Sequence, residues 1–150
     1  MRTFEGLSEL RQATGEELGV TPWLSIDQDR VNRFAEVSED RQWIHVDEEA
    51  AKDGPYGGTV AHGFLTLSLV PHLLHQLYRV NNVRMAINYG LDKVRFPAVA
   101  RVGSRIRGVA QVAEVVEMSA AVQASFRISI HAEGVDKPIC AAIYIVRFIE

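Results

Sequence analysis

The segment from Gly63 to Tyr78 constrains the fold more than any other part of the chain. Its sequence, GFLTLSLVPHLLHQLY, is apolar at most positions and has almost no polar face. As a helix it would be about 24 Å long, at a rise of about 1.5 Å per residue. A helix that is apolar nearly all round has to be surrounded by protein. We therefore expect one long buried helix, which Pro71 bends by removing one backbone hydrogen bond.

Four candidate strands follow this segment. They run over Met85–Pro97, Ser104–Glu117, Ala120–His131 and Pro138–Ile149. The third alternates cleanly, and its apolar face consists of Val122, Ala124, Phe126, Ile128 and Ile130. The fourth is apolar on both faces, which is typical of a central strand.

Turn signals between these strands favour short connections. They lie at Arg101–Gly103 and at Glu133–Asp136. Sequential strands with short connections favour antiparallel pairing. The pattern predicts an α+β fold, in which a curved antiparallel sheet wraps around the long helix.

The first half of the chain reads as helices and loops. Leu7–Leu18 has a loose helical pattern that breaks near Gly15, and Trp23–Ile26 is a short candidate strand. Asp27 is placed to cap a helix that runs to about Val37. From Ser38 to Gly58 the chain is polar and irregular, except for a helical turn over Glu48–Lys52.

Size and composition limit the possible functions. A chain of 150 residues suits one domain, residues 1–150, and its 47% hydrophobic and 23% charged residues are typical of a globular protein. The formal net charge of −3 gives no basic excess for nucleic acid. The apolar segment is shorter than the ~20 residues that a membrane span needs. No secretory leader is visible and the single Cys140 cannot form an internal disulfide, so we expect a cytoplasmic protein.

Asp40 and His45 are the first candidates for chemistry. They lie five positions apart on a segment expected to be irregular, where two titratable side chains can converge on one water or substrate atom. A carboxylate beside an imidazole orients the ring and raises its pKa. Spacing alone leaves a second interpretation open, in which Asp40 caps the next turn and His45 lies on the surface.

Gly63 offers a backbone group. It opens the apolar helix, where N–H groups lack intrahelical partners, and a ligand carbonyl can approach a glycine amide closely. The alternative is that Gly63 only permits close packing.

Taken together, these stretches resemble a known family. They are similar to the hydratase motif of the MaoC-like (R)-specific enoyl-CoA hydratases, and to the nodulation protein N-like branch of that family. The similarity covers the chain from about Ile26 onward. The residues that carry it are Phe34-Ala35, Ser38-x-Asp40, His45, Ala61-His62-Gly63, Lys93–Pro97 and Val102–Ser104.

The resemblance implies a hot-dog fold and a syn hydration of trans-2-enoyl-CoA to (R)-3-hydroxyacyl-CoA. Asp40 and His45 would hold and activate the water, with Asp40 as the main proton carrier. The Gly63 amide would polarise the thioester carbonyl. The family also implies a homodimer with edge-to-edge sheets, and no metal or redox cofactor, because CoA arrives as part of the substrate.

The chain departs from the family pattern at one point, where Gln42-Trp43 replaces the usual Asn-Pro. The Gln42 amide keeps a hydrogen-bonding group near the water or thioester, and the bulk of Trp43 bears on the shape of the pocket. Asn88 interrupts an apolar strand and is a candidate for lining the acyl tunnel.

We expect structural or solvent-exposed positions for the other side chains that could take part in chemistry. His62 is expected to brace the loop before the helix, His72 and His75 to face solvent or an interface, and Cys140 to pack in the core. Two interpretations are open for the basic residues: some could meet the CoA phosphates, and most are expected to form a solvated strand face. These residues are Lys93, Arg95, Arg101, Arg105 and Arg107.

Two rival functions remain open on the sequence. A hot-dog acyl-CoA thioesterase would typically use a carboxylate on the long helix, and Gly63–Tyr78 contains neither Asp nor Glu. A non-catalytic acyl-thioester-binding protein would result if Gln42-Trp43 had altered the site.

Overall fold

The computed structural model describes residues 1–119 and 121–150. Its helices are α1 (Leu7–Arg11), α2 (Gln28–Ser38), α3 (Trp43–Val46), α4 (Glu48–Lys52), α5 (Gly63–Ser68) and α6 (Val70–Leu74). Its strands are β1 (Arg2–Phe4), β2 (Glu17–Val20), β3 (Leu24–Ser25), β4 (Tyr78–Val80), β5 (Met85–Arg95), β6 (Arg105–Glu117), β7 (Val122–Ala132) and β8 (Cys140–Ile149).

The main sheet is antiparallel throughout and has the strand order β2-β6-β7-β8-β5, with β3 also paired to β6. The four predicted strands are confirmed to within a few residues, although Ala120, the predicted start of the third, lies outside the described residues. Strand β8 lies between β7 and β5, so its predicted central position is confirmed. The parallel pair β1–β4 was not predicted.

One face of the sheet forms the core. Along β7 the predicted apolar face is buried from Val122 to Ile130, and the alternate residues are more exposed. The α+β prediction is therefore confirmed: helices α5 and α6 lie against β8 and β6. The Tyr78 ring stacks on Phe126 at 4.6 Å between centroids, which joins the end of the apolar segment to the sheet.

The apolar segment is not one long helix, and that prediction is wrong. Helix α5 ends at Ser68, α6 begins at Val70, and Tyr78 already belongs to β4. Pro71 has no N–H to continue the hydrogen-bond ladder. The Ser68 hydroxyl also bonds to the Leu65 carbonyl at 2.7 Å, which competes with helical pairing. A single residue in the right-handed helical conformation, Leu69, joins the two helices, so the predicted bend takes the form of a one-residue break just before Pro71.

The two short helices are also less enclosed than expected. Val70, Leu73 and Leu74 of α6 are buried, but Phe64 in the first turn of α5 is 68% exposed. Close packing of α6 on β6 depends on Gly108, since a Cβ there would lie 3.3 Å from the Leu73 Cβ. The single chain thus buries one half of the apolar segment and leaves part of the other half uncovered.

The first half of the chain follows the prediction in part. Helix α1 stops at Arg11 and Leu18 lies in β2, so the helical prediction for Leu7–Leu18 is wrong beyond its first turns. Gly15 adopts a φ of 87°, which an α-helix cannot contain. The strand near Trp23 and the turn at α4 are confirmed.

Asp27 caps α2 as predicted, because its carboxylate accepts a hydrogen bond from the Arg30 N–H at 2.8 Å. We expect Asp27→Ala to lower the free energy of unfolding by about 1 kcal/mol, since an orphan N–H of the first turn loses its partner. Urea denaturation of the two proteins measures this difference. An exposed carboxylate with no capping role, Glu36, supplies the control Glu36→Ala, and equal losses in both variants would contradict the capping role.

The described residues form no helix with the length and hydropathy that crossing a lipid bilayer requires.

Candidate active site

Asp40 lies on the turn that follows α2. Glu39 ends that helix in the left-handed conformation, with a φ of 61°, and reverses the chain. The Asp40 N–H then donates to the Ser38 hydroxyl, and its carboxylate accepts from the Gln42 N–H, both at 3.4 Å. The Asp40 side chain is exposed and available to a ligand.

His45 lies on α3, within the segment predicted to be irregular; that part of the prediction is wrong. The ring is 7% exposed, and its Nδ1 lies 2.7 Å from the Val60 carbonyl oxygen. Because a carbonyl can only accept, we assign the proton to Nδ1. Nε2 is then left with a free lone pair, so His45 can accept a proton or a hydrogen bond there. The surface interpretation of His45 is wrong.

Gln28 fixes the backbone around His45 and was missed in the sequence. Its amide donates to the His45 carbonyl at 2.7 Å and accepts from the Thr59 hydroxyl at 2.6 Å. It thereby ties α2 to α3 and to the strand-like segment at Thr59–Val60. A glutamine in the first turn of a helix has no local sequence pattern that would identify it as a residue of the site.

His62 joins the other two side chains. Its ring stacks on His45, with 3.7 Å between centroids and 25° between planes, and its Nε2 donates to the Asp40 main-chain carbonyl at 2.9 Å. The predicted bracing role of His62 is therefore confirmed. One atom each from Asp40, His45 and His62 lie within 4.8 Å of one another. The fold thus brings the predicted Asp40–His45 pair together and adds a third side chain.

Two histidines and a carboxylate at this spacing could suggest a metal centre. However, a histidine binds a metal through a lone pair in the plane of its ring. The two rings are close to parallel, so their lone pairs lie in nearly parallel planes and do not converge on one ion. Ring geometry therefore favours proton chemistry, and the expectation of no metal remains a prediction.

Burial lowers the pKa of His45 below its usual 6.5, and the nearby His62 lowers it further. The hydrogen bond to Val60 and the negative charge of Asp40 oppose this shift without reversing it. Since the neutral form persists to lower pH than in a free imidazole, the Nε2 lone pair is available at neutral pH.

The lowered pKa predicts how activity depends on pH. If neutral His45 is required, activity persists as the pH falls through 6.5 and is lost only near the lower pKa of the ring. We expect the acidic limb of kcat/KM, measured for hydration of an enoyl thioester, to have its midpoint below 6.5. A midpoint above 6.5 would show that another group controls activity.

Gly63 opens α5 next to this cluster. No side chain caps the helix, and a Cβ at Gly63 would lie 2.9 Å from the Phe96 ring. The close-packing role of Gly63 is therefore present in the structure. Gly63 itself is half-buried and directly follows His62.

An apolar cavity of about 420 Å³ lies along α5 and includes Asn88 and Leu91 in its lining. It shares Pro71, Asn88 and Tyr144 with a second cavity of about 480 Å³ beside α6. Phe34 connects the first cavity to the cluster, because it lines the cavity and its ring lies 5.0 Å from that of His62. The structure thus places Asn88 at an apolar cavity next to the candidate site.

Gln42 and Trp43, which replace the usual Asn-Pro of the family, lie outside these cavities. Gln42 is exposed and its side chain does not cap α3. The Trp43 ring packs against Gly54, and a Cβ built on Gly54 would lie about 3 Å from this ring. Trp43 does not line either cavity. The expected effect of Trp43 on pocket shape is not seen in this chain.

The remaining polar candidates behave as expected. His72 and His75 are exposed, and Cys140 is buried and free. The basic residues are exposed, including Arg105, which pairs with Glu133, and Arg101, which donates to the Gly57 carbonyl.

An antiparallel sheet packed on the helical segment α5–α6, with Asp40 and His45 gathered around His62 just before that segment, is the arrangement expected of a hot-dog protein. The family model described as "MaoC like domain" matches residues 9–132. The chain therefore belongs to the MaoC-like dehydratase family, as the resemblance implied, and it is an enzyme of this class.

Individual proteins agree with this assignment. The chain is 49% identical over 150 residues to 3-hydroxyacyl-thioester dehydratase Z of Mycobacterium tuberculosis, covering 99% of both chains. It is 36% identical over 142 residues to nodulation protein N of Rhizobium meliloti, covering 93% of this chain and 88% of the relative. The solved structure of a monoamine oxidase regulatory protein from Archaeoglobus superposes with a TM-score of 0.79 at 21% identity, over 99% of this chain and 97% of the other. The hot-dog fold is confirmed.

Proposed function

We propose that this enzyme catalyses the reversible (R)-specific hydration of trans-2-enoyl-CoA to (R)-3-hydroxyacyl-CoA. One observation carries the proposal: Asp40 and His45 converge, and the hydrogen bond to Val60 leaves the His45 Nε2 lone pair free. The dehydratase relative with 49% identity supports the same reaction type on a thioester.

The Asp40–His45 pair would act on a single water. His45 Nε2 accepts a hydrogen bond from one water hydrogen, and the Asp40 carboxylate takes the other as a proton. The water oxygen forms its bond to the β-carbon while the double-bond electrons move onto the thioester carbonyl oxygen. Asp40 then returns its proton to the α-carbon as the enolate collapses. Both additions occur from the face where Asp40 lies, so the addition is syn and Asp40 ends as it began.

Gly63 would support the charge that develops in this step. Its amide lies in the uncapped first turn of α5, directly after His62. A hydrogen bond from this amide to the thioester oxygen stabilises the enolate, and one such donor contributes about 10²–10³ in rate.

Two further residues would bind substrate. Asn88 lines the apolar cavity that continues from the site, so its amide would lie along the acyl chain. Gln42 follows Asp40 on the exposed side of the turn, where its amide would reach the thioester portion.

The proposed reaction is a proton transfer coupled to addition of water, so it requires no metal or redox cofactor. CoA enters as part of the acyl-CoA substrate. We propose that residues 1–150 act as one domain, and that nucleic acid and membrane are not its partners.

We propose that the enzyme is a homodimer that forms through the edge strand β5. Strand β5 is an edge of the sheet, and its Met85, Ile87, Tyr89 and Leu91 are each between 38% and 53% exposed. An uncovered apolar edge strand is a surface that pairs readily with another chain. Pairing of two β5 strands would cover this edge.

The dimer has a direct test. We expect Ile87→Lys to shift the protein from dimer to monomer, because pairing would bring two like charges close together on an apolar edge. Sedimentation velocity at matched concentrations measures the change. Val37→Lys, on the exposed end of α2, is the control and should remain dimeric. A wild-type monomer, or a dimeric Ile87→Lys variant, would exclude this edge.

Crotonyl-CoA distinguishes the proposed reaction from its rivals. Hydration removes the absorbance of the conjugated enone without releasing thiol. Thiol release would indicate a thioesterase, although α5 and α6 carry no carboxylate. Binding with unchanged absorbance would indicate a non-catalytic acyl-thioester binder. Either of these two results would reject the proposal.

A further inference from the structure

His62 occupies an unusual position for a structural histidine. It is 2% exposed and is packed between the rings of His45 and Phe34. Its Nε2 carries the proton donated to the Asp40 carbonyl, while its Nδ1 is buried and has no hydrogen-bond partner among the described residues. A buried ring with one unused nitrogen is costly unless its placement serves the site.

We propose that His62 is a positioning residue that holds Asp40 and His45 in their reactive arrangement. The proposal rests on the function proposed above. His62 fixes Asp40 through the main-chain carbonyl and fixes His45 through ring stacking, so one side chain sets the separation of the two.

The hydrogen bond from His62 is the shortest contact that holds Asp40. The two other hydrogen bonds of Asp40, to Ser38 and Gln42, are both 3.4 Å long, whereas the bond from His62 to its carbonyl is 2.9 Å. The turn that carries Asp40 is otherwise exposed. Loss of the His62 donor should therefore let this turn move relative to His45, and a misplacement of about 1 Å can cost on the order of 100-fold in rate.

The stacked ring also influences the charge of His45. The two titratable groups that face His45 are His62 and Asp40, and they act on its pKa in opposite directions. The effect of His62 is the repulsion between the two rings when both carry a proton on each nitrogen, and an uncharged side chain in place of His62 removes it. The pKa of His45 should then rise.

Two substitutions separate the hydrogen bond from the ring. His62→Phe keeps a stacking ring and loses the donor to Asp40, so we expect kcat for crotonyl-CoA hydration to fall about tenfold to a hundredfold with little change in KM. His62→Gln keeps an amide donor that can reach the same carbonyl but loses the stacked ring, so its loss of kcat should be smaller than that of His62→Phe. His72→Gln, at an exposed histidine on α6, is the matched control and should behave as wild type.

An NMR titration of the His45 ring provides a second readout that needs no turnover. The pKa of His45 should lie below 6.5 in the wild type and higher in both His62 variants, whereas a purely structural role would leave it unchanged. Unchanged kcat in His62→Phe, an equal loss in His62→Gln, or an unmoved pKa would each overturn the proposal. A wild type without hydration activity rejects the proposed function instead, and the titration then still decides whether His62 controls His45. If His62→Phe does not fold, the raised pKa of His45 in His62→Gln carries the test alone.

Discussion

Asp40→Asn is expected to lower kcat for crotonyl-CoA hydration by about 10²–10⁴ while the protein remains folded. An amide in place of the carboxylate cannot take the proton from water and return it to the α-carbon. The fold should survive because the Asp40 side chain is exposed, and the bond to His62 uses the main-chain carbonyl. Stopped-flow or steady-state assays of the enone absorbance measure the loss of kcat.

The neighbouring carboxylate provides the control for this substitution. Glu39 is exposed and ends α2, and its side chain has no role in the proposed chemistry. Glu39→Gln should hydrate crotonyl-CoA at the wild-type rate. Asp40→Asn turning over at a near-normal rate would reject Asp40 as the proton carrier, and an equal loss in both variants would point to the turn and not to the carboxylate.

His45→Gln is the second large expected effect, with a loss of at least about two orders of magnitude in kcat. Glutamine can still donate to the Val60 carbonyl, but it lacks the fixed imidazole lone pair that holds the water. Because His45 is buried, its unfolding free energy should be measured beside the rate.

The double variant tests whether the two side chains act as one unit. When two residues act as a unit, replacing both lowers kcat little more than replacing one. The kcat of Asp40→Asn/His45→Gln should therefore be close to that of the less active single variant. Losses that multiply would show that Asp40 and His45 act independently, and they would contradict a shared water.

The sheet could be predicted from the sequence because its signals are local. Alternation along β7 follows from the two-residue period of a strand, and Asp27 marks the start of α2 through a contact only three residues away. These features depend on near neighbours in the chain, which a single sequence contains.

Two features of the fold were not predicted. The break between α5 and α6 was underestimated, since Pro71 was expected only to bend a helix. The parallel pairing of β1 with β4 joins segments more than seventy residues apart. Pro71 marks the break locally, whereas no local pattern marks the pairing of β1 with β4.

The candidate site shows the same division. Asp40, His45 and Gly63 were singled out by resemblance to a family, whereas their spacing left bland alternatives open. The stacking of His62 on His45 and the tie from Gln28 to the His45 backbone depend on how α2, α3 and the start of α5 pack together. The sequence identifies the candidate reacting groups, but it does not show which side chains fix their positions.

The configuration of the product tests the central claim most directly. Crotonyl-CoA is incubated with the enzyme in D₂O, and the 3-hydroxybutyryl product is resolved by chiral chromatography and analysed by NMR. The proposed reaction predicts the (R)-3-hydroxy product with one deuterium at the α-carbon, on the same face as the hydroxyl group. An (S) product, or deuterium on the opposite face, would contradict syn addition by a water and a proton that Asp40 delivers from one side.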